Sequence, residues 1–400
     1  PGSKERIKEL LKLFGLDWDE YFVQSERAKE GIYQEAAKKM VEEGHAFYCD
    51  CKPRNAKEEG YSKELRDPCR DASKTTGAIK LKVPDGETIS FKDFVLDKEV
   101  SWETSTVADA TLLKSNGFPT YHLAVVVDDQ EMKISNVLRG HDWMPSTPIH
   151  LLVYKYLGYE LPEIGHLTDI LDPEGGKLSK RKGSTSVDGL LKEGYLPEAI
   201  LNFIMLLGWA PKDNRELFTL SQFVEAFDPN GFQKTNPVFN REKLDWFNGE
   251  YIRRKTDDEI LGLLEPFLPD GADNEKVKSI IPAIKDRIKK LSDFSDLVGY
   301  VFKKSEEIEP KMVTDKYVSH ISNATTALKA MQESQWNVET INNTLGEMIK
   351  EKGFKVGDFY MDLRGTISGS LYTPPLNETL VPIGLSETIK RLEKGLEKAK

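Results

Sequence analysis

Residues 175–184 read GGKLSKRKGS, and the rest of the chain is best interpreted outward from this stretch. Four cations, Lys177, Lys180, Arg181 and Lys182, fall within six positions and are flanked by glycines, which leave the backbone free to move. Lysines on such a loop can reach a triphosphate and stabilise the charge that shifts to a departing pyrophosphate. The same pattern also fits a solvated basic turn or a patch that binds nucleic acid.

The composition predicts a globular protein of several domains in a reducing cytoplasm. The chain has 400 residues, of which 39% are hydrophobic, and this is enough for buried cores. It contains no apolar run of about 18 residues and no apolar signal region, so we expect no membrane span and no export. Three cysteines argue against a disulfide framework. The net charge of −10 argues against bulk coating of nucleic acid, although a local basic face remains compatible with it.

Two short cysteine motifs predict a metal site. Cys49 and Cys51 are followed by Cys69 and Asp71, which together offer three thiolates and a carboxylate to a tetrahedral structural zinc ion. Residues 52–68 between the motifs are charged and poor in apolar side chains, so a metal would have a segment to organise. The alternative is three ordinary reduced cysteines.

Strand patterns predict an arginine at the edge of a parallel sheet. Residues 121–127, YHLAVVV, are apolar enough for a central strand, and residues 134–138 predict a second strand that leads to Arg139. Ligands of open α/β sheets bind at the carboxyl ends of strands, so Arg139 could clamp a carboxylate by a bidentate pair. An ion pair with Asp128 or Asp129 explains this arginine equally well.

Two further regions have a clear periodicity. Residues 78–103 alternate on either side of a Pro-Asp-Gly turn and predict a small antiparallel sheet. From residue 256 onward the pattern is helical, with one apolar face formed by Ile284, Ile288, Leu291, Phe294 and Val298 and another by Ile341, Leu345 and Met348.

The lysine stretch belongs to a longer run, LDPEGGKLSKRKG at residues 171–183, which resembles the second signature loop of class I aminoacyl-tRNA synthetases in its glutamyl-tRNA synthetase form. Other segments are similar to the same family: GLDWDE at 15–20, PTYHLA at 119–124, VLRG at 137–140, and residues 239–254 and 361–369. The absence of a β-barrel pattern after residue 256 disfavours the glutaminyl-tRNA synthetases.

The resemblance assigns roles to individual residues. It makes Lys180 the catalytic contact to the ATP phosphates, with Lys177 in support and Leu178, Ser179 and Arg181 completing the ATP-binding segment.

The resemblance also names substrate and tRNA contacts. It gives Tyr121 and Arg139 to glutamate, and Arg253 and Arg254 to tRNA phosphates, where solvated surface is the alternative. Some members of the family carry a zinc knuckle at the place where Cys49, Cys51 and Cys69 stand in this sequence. Two positions depart from the family: Val125 stands where some members have a substrate-binding asparagine, and His141 stands where an acid is common.

The implied fold is an α/β Rossmann-like class I synthetase catalytic domain, without its N-terminal half, carrying a small α+β insertion and followed by an all-α C-terminal anticodon-binding region. The predicted divisions are residues 1–47 and 108–165 for the Rossmann-like part, 48–107 for the insertion that binds the acceptor end, 166–255 for the lysine loop and tRNA stem contact, and 256–400 for the helical region.

The implied reaction joins L-glutamate and ATP to glutamyl-adenylate and then transfers glutamate to the 3′ end of tRNA-Glu. ATP, Mg²⁺ and a structural Zn²⁺ are the expected cofactors, and the protein is expected to be a cytoplasmic monomer. The first class I signature, ordinarily His-Ile-Gly-His, does not occur in the sequence, so we expect these 400 residues alone to bind tRNA without forming adenylate. The alternatives are a non-catalytic tRNA-binding fragment or paralogue, and a non-discriminating enzyme that also charges tRNA-Gln.

Overall fold

The computed structural model describes residues 3–51, 65–178 and 186–400, which form two compact units. The first unit contains the described residues up to Leu178 together with Met205–Phe239. The second contains the described residues between 179 and Ile204 together with Asn240–Lys400. The four-part division expected from the sequence stays a prediction.

The described part of the first 170 residues contains short helices and strands in mixed order. These are α1 (Ser3–Leu13), α2 (Gln24–Glu30), α3 (Ile32–Glu42), β1 (Ala46–Cys49), β2 (Ala78–Leu81), β3 (Thr88–Asp93), β4 (Lys98–Glu103), β5 (Thr111–Leu113), α4 (Tyr121–Glu131), β6 (Asn136–Gly140), α5 (Thr147–Leu157) and β7 (Glu163–Leu167).

The described part of the chain after residue 186 is helical. Its helices are α6 (Val187–Lys192), α7 (Pro197–Gly208), α8 (Leu220–Ala226), α9 (Arg241–Arg254), α10 (Asp257–Leu264), α11 (Asn274–Ile284), α12 (Asp293–Val298), α13 (Tyr317–Lys329), α14 (Val338–Lys352), α15 (Val356–Ser368), α16 (Leu376–Ile383) and α17 (Leu385–Lys398). None of the described helices is long and apolar enough to cross a membrane.

The strands of the first unit form two sheets. One is antiparallel with the order β1-β2-β5, and the other has the order β4-β3-β7-β6. In the second sheet β3 pairs with β4 antiparallel and with β7 in parallel, and β7 also pairs with β6 in parallel. The parallel pair β6/β7 brings the ends of two strands to one edge, and this edge carries the candidate site.

The predicted strand at residues 121–127 is wrong, because this segment is the helix α4. Its residues Leu123, Ala124, Val126 and Val127 are almost fully buried, since the helix packs against α3, α5 and β5. A helix that is covered on most sides is apolar nearly all round and loses the 3.6-residue pattern that distinguishes it from a buried strand.

The prediction for residues 78–103 is correct in its strands but wrong in their pairing. The expected partner of β2 was the strand after the Pro-Asp-Gly turn, which is β3. Instead β2 pairs with β1 and β5, and β3 pairs with β4 and β7. The segment therefore contributes to both sheets instead of forming a separate small one.

The second unit confirms the helical prediction for the C-terminal region. The residues of both predicted apolar faces are buried, with exposures between 0% and 7%. Ile341, Leu345 and Met348 lie on the single helix α14, as predicted. The other set does not form one helix face, because α11 ends at Ile284 and α12 begins at Asp293, and Ile288 and Leu291 lie between them. Thr256 caps α10 through a reciprocal pair of hydrogen bonds with Glu259, a device that satisfies free N–H groups at the start of the helix.

A buried arginine ties α17 to the rest of the second unit. The Arg391 side chain has no exposed surface and donates to the carbonyl oxygens of Ile367 at 2.9 Å, Tyr300 at 3.1 Å and Lys303. Glu387, one turn earlier in the same helix, accepts from its Nε at 3.1 Å. One side chain thus satisfies carbonyl groups from two separate segments.

Candidate active site

Arg139 lies near the end of β6, beside His166 of β7 in the parallel pair. Each of its three guanidinium nitrogens contacts a neutral acceptor. Nε donates to His166 Nε2 at 3.0 Å, Nη1 to His150 Nδ1 at 2.8 Å and Nη2 to Thr147 Oγ1 at 2.7 Å. The adjacent strand and the first residues of α5 therefore fix the orientation of the guanidinium group.

The ion pair that the sequence left open for Arg139 is not formed among the described residues. Asp128 accepts instead from Arg27 Nε at 2.8 Å, and Asp129 accepts from the hydroxyl of Tyr154 at 3.1 Å. Burial lowers the pKa of Arg139, because the guanidinium cation loses hydration there. A half-buried cation without a carboxylate partner in the described chain is a favourable place for an anionic ligand.

Two further histidines stay neutral beside this arginine. His150 is 2% exposed, and burial, followed by the positive charge of Arg139, lowers its pKa to about 2. The same two causes lower the pKa of His122, whose Nδ1 lies 3.1 Å from His150 Nε2. Because both rings are uncharged at neutral pH, they do not repel the guanidinium, and His150 can accept its hydrogen bond.

A buried carboxylate stands behind His166. The side chains of Asp93 and His166 are both fully buried, and Asp93 Oδ2 lies 2.7 Å from His166 Nδ1. Burial lowers the pKa of His166 although Asp93 acts in the opposite direction. Asp93 was missed in the sequence, although it occupies the third inward position of β3 after Ile89 and Phe91. An acid at such a position is a signal that could have identified it.

Tyr121 and Arg139 both contact His150, while their common role in binding glutamate stays a prediction. Tyr121 is the first residue of α4, and its ring centroid is 4.2 Å from that of Trp143 and 5.7 Å from that of His150. The side chain is 38% exposed, so it is available to a ligand. His150, His166 and Trp143 were not among the predicted site residues.

The lysine loop is described only at its base, and Ser179, Lys180 and Arg181 lie outside the described residues. Leu178 N–H donates to the carbonyl of Ile170 at 2.8 Å, and Asp172 N–H donates to that of Gly176 at 2.9 Å. Gly175 and Gly176 have φ values of 100° and 81°, a left-handed conformation that favours glycine at both positions of this tight turn. The base of the loop is thus a hydrogen-bonded hairpin.

Lys177 is held between two carboxylates. Its Nζ forms an ion pair with Asp142 and another with Asp169 at 2.9 Å, and both raise the pKa of the lysine. Asp142 is one residue after His141, the exposed residue at the family's acidic position. The contact between Lys177 and ATP stays a prediction, as do the roles of Leu178, Ser179, Lys180 and Arg181.

The three cysteines come together, as predicted. Cys51 Sγ lies 3.1 Å from Cys69 Sγ, and ligand atoms of Cys49, Cys51, Cys69 and Asp67 all lie within 4.8 Å of one another. We refer to these four residues as the cysteine cluster. Burial raises the pKa of Cys49 to about 12, so this thiol is protonated in the absence of a cation. Three sulfurs and one carboxylate match the ligand number and type of a structural zinc site.

The predicted fourth ligand, Asp71, is wrong. Its carboxylate is 82% exposed and pairs with Lys82 at 3.1 Å. Asp67 takes its place, because Cys69 N–H donates to Asp67 Oδ1 at 2.8 Å and this turn folds the carboxylate back to 3.5 Å from Cys49 Sγ. The second oxygen of Asp67 accepts from Lys80 Nζ at 2.5 Å.

The two predicted tRNA-binding arginines lie at the end of α9. Arg253 Nη2 donates to Glu250 one turn earlier at 2.6 Å, whereas Arg254 is exposed and stands 5.9 Å from the ring centroid of Tyr251. Lys255, a further basic candidate, is paired with Glu198 at 2.6 Å. Arg254 is therefore the better placed of the three for an outside phosphate, and the tRNA contact itself stays a prediction.

Comparison with known families covers nearly the whole chain. Residues 1–246 match the family described as "tRNA synthetases class I (E and Q), catalytic domain", and residues 259–396 match "Anticodon binding domain". A glutamate–tRNA ligase of Dehalococcoides mccartyi is 37% identical over 98% of this chain and 86% of the relative. One of Treponema denticola is 32% identical over 98% of this chain and 89% of the relative.

Solved structures agree with this family and confirm the predicted fold class. A glutamate tRNA ligase from Elizabethkingia meningosepticum, in complex with its amino acid, superposes with a TM-score of 0.85 at 29% identity. The superposition covers 100% of this chain and 90% of that structure. The glutamate–tRNA synthetase of Elizabethkingia anophelis gives a TM-score of 0.84 at 29% identity.

Proposed function

Because this chain belongs to the class I tRNA synthetases for glutamate and glutamine, we propose that it activates L-glutamate with ATP and transfers it to the 3′-terminal ribose of tRNA-Glu. The α-carboxylate of glutamate attacks the α-phosphorus of ATP, and pyrophosphate leaves. A ribose hydroxyl then attacks the mixed anhydride, and AMP leaves. No side chain needs to act as a covalent nucleophile, so the residues of the chain position the reactants and stabilise charge.

The observation that carries the proposal is the guanidinium of Arg139, which is half-buried among neutral acceptors and lacks a carboxylate partner in the described chain. Glutamate has two carboxylates, and the α-carboxylate must reach ATP. The carboxylate bound to Arg139 is then that of the side chain. Glutamine carries an uncharged amide at this place and would leave the buried cation uncompensated, which disfavours its binding.

The lysine loop is the proposed phosphate-binding element. Lys180, with Ser179, Arg181 and Leu178 beside it, is assigned to the ATP phosphates. Lys177 anchors the base of the loop through Asp142 and Asp169 and supports the same function. Mg²⁺ that accompanies ATP supplies further neutralisation of the triphosphate when it is bound.

The cysteine cluster is the proposed site of one structural zinc ion. Cys49, Cys51 and Cys69 would bind as thiolates and Asp67 as the carboxylate. Lys80 holds the second oxygen of Asp67 and so fixes the direction of its first oxygen. The insertion at residues 48–107, which contains this cluster, is proposed to bind the acceptor end of the tRNA.

The proposed tRNA contacts at Arg254 and Arg253 would act on phosphates. Loss of one phosphate contact weakens binding at all salt concentrations and makes the dependence of log K on log salt shallower by a little less than one unit. Arg254→Ala should therefore show this change, while Arg253→Ala should show less of it, because Arg253 is already paired with Glu250.

We place the protein in the cytoplasm as a monomer.

The decisive experiment compares Arg139 variants of the full-length gene product in glutamate-dependent ATP–pyrophosphate exchange. Arg139→Ala should reduce kcat/KM for glutamate by an amount that corresponds to about 2–5 kcal/mol of transition-state stabilisation. The KM for ATP should stay unchanged, because the removed guanidinium is a charge partner of glutamate alone. Arg139→Lys keeps the positive charge but loses the planar guanidinium group. Its kcat/KM for glutamate should therefore lie between that of the unmodified protein and that of Arg139→Ala.

Three results would contradict parts of this proposal. Equal losses for glutamate and ATP would make Arg139 a structural residue. Binding of tRNA without any glutamate-dependent exchange would favour the non-catalytic alternative, and efficient charging of tRNA-Gln would favour the non-discriminating one.

A further inference from the structure

The chain of hydrogen bonds that begins at Asp93 fixes the hydrogen positions on His166. Arginine can only donate, so His166 Nε2, which lies 3.0 Å from Arg139 Nε, must be the unprotonated nitrogen. His166 Nδ1 then carries the hydrogen and donates it to Asp93 Oδ2 at 2.7 Å. The other oxygen of Asp93 accepts the backbone N–H groups of Val95 at 3.0 Å and Leu96 at 2.9 Å.

The same reasoning applies on the other side of the guanidinium group. His150 Nδ1 accepts from Arg139 Nη1, so the hydrogen of this ring is on Nε2, which donates to His122 Nδ1. Only one set of tautomers satisfies every contact. Of these groups, Asp93 is the one with a full negative charge, and it selects the tautomer of His166.

We propose that Asp93 and His166 are positioning residues for the amino-acid substrate, which hold Arg139 in the orientation that accepts the side-chain carboxylate of glutamate. The inference rests on the proposed function, because it assumes that Arg139 binds this carboxylate. A long side chain that is already ordered loses less entropy when its ligand arrives. Neutral contacts to His166, His150 and Thr147 provide this order without placing a carboxylate against the guanidinium.

The replacement Asp93→Asn tests this selection with almost no change of shape. The amide oxygen should occupy the position of Oδ1, since the two backbone N–H groups require an acceptor there. The amide nitrogen must then face His166 Nδ1, so the hydrogen of His166 moves to Nε2. The N–H groups of His166 Nε2 and Arg139 Nε would then face each other, and the hydrogen bond between them would be lost. An incorrect histidine tautomer is known to impair catalysis in the same way when the overall geometry is intact.

The chain offers a matched control in its second unit. Asp362 and His320 are also buried, with Asp362 Oδ2 at 2.7 Å from His320 Nδ1 and Asp362 Oδ1 accepting the N–H groups of Val313 and Thr314. His320 Nε2 has no hydrogen-bond partner in the described chain. Asp362→Asn should therefore reverse a tautomer in the same way without moving an arginine.

The experiment measures histidine tautomers by long-range ¹H–¹⁵N correlation NMR, and binding of L-glutamate and of ATP by calorimetry. Asp93→Asn should reverse His166 and weaken glutamate binding about 10–100-fold, the usual effect of losing a partner behind a ligating group, with ATP binding unchanged. Asp362→Asn should reverse His320 and leave glutamate binding unchanged.

A second pair of variants keeps the test decisive if Asp93→Asn unfolds. His166→Gln retains an acceptor near the position of Nε2 and should keep most of the glutamate affinity, whereas His166→Leu should lose it. Reversal of His166 with unchanged glutamate affinity, or equal losses in His166→Gln and His166→Leu, would overturn the inference alone. No glutamate binding by the unmodified protein would overturn the proposed function and the inference with it.

Discussion

Replacing Arg391 by methionine tests whether one buried side chain holds the C-terminal helix in place. The replacement is close in volume but removes every donor of the guanidinium group. The carbonyl oxygens of Ile367, Tyr300 and Lys303 would lose their donor in a region without access to water, and Glu387 would lose its partner. We therefore expect a large loss of stability in the second unit.

The size of this loss follows from the contacts. Each buried acceptor left without a donor costs about 1–3 kcal/mol, so three carbonyl groups cost about 3–9 kcal/mol. The replacement offsets part of this loss of stability. Burying the guanidinium cation costs several kcal/mol of desolvation, and the uncharged methionine does not carry this cost. The net loss should be about 3–5 kcal/mol, which lowers the Tm by roughly 10 °C for a unit of this size.

Calorimetry and hydrogen exchange of the whole chain would measure this effect. Lys398→Met is the matched control, since Lys398 lies on the same helix and pairs with Glu309 in an exposed ion pair, where the loss should stay below about 1 kcal/mol. Exchange should rise most in residues 300–308 and in α17. Similar melting and exchange for both variants would refute the view that the buried contacts of Arg391 stabilise this unit.

Three further predictions concern the first unit. Asp67→Asn should lower zinc content, measured by plasma emission on protein purified without chelator, whereas Asp71→Asn should leave it near one equivalent; the reverse result would restore the ligand expected from the sequence. Gly77→Ala should disrupt the same cluster, because a Cβ at position 77 would overlap the carbonyl oxygen of Cys49. Gly86→Ala is the control, since Gly86 also has a positive φ but a Cβ there would face open space. Equal zinc loss in the two variants would refute this reasoning. The pKa of His150 is lowered to about 2 in the fold, so the unfolded chain binds more protons below about pH 6.5, and stability is lost as the pH falls by up to about 1.4 kcal/mol per unit from this residue. Urea unfolding at pH 7.5 and 5.5 should show a smaller difference for His150→Asn, and an unchanged difference would contradict the assignment.

The parts of the site that the sequence predicted are those with a local signal. Arg139 is the fourth residue of β6, which overlaps the strand expected at residues 134–138, so its position near the end of a strand could be predicted. The three cysteines lie on two short motifs, Cys-x-Cys and Cys-x-Asp, from which a shared metal site was predicted. The fold class followed from long motifs, each of which occupies consecutive residues.

The parts that were missed depend on contacts between distant residues. Asp93 and His166 are 73 positions apart, and only the parallel pairing of β3 with β7 brings them together. The sequence spacing placed Asp71 beside the three cysteines, but the turn hydrogen bond at Asp67 brings the carboxylate of Asp67 there instead. For α4, burial on most sides removed the periodicity from which a helix is recognised.

The position of β3 in the four-stranded sheet limits how this protein can be recombined with its relatives. β2 and β3 are separated by only a few residues, yet β2 belongs to the sheet beside the cysteine cluster and β3 to the sheet that carries Arg139. A chimera that exchanges the whole segment between the cysteines and β5 would therefore also exchange Asp93. This residue belongs to the four-stranded sheet, where it contacts His166. A crossover point between β2 and β3 keeps Asp93 with its own histidine, and substitutions at positions 93 and 166 are expected to occur in pairs among functional variants selected from such a library.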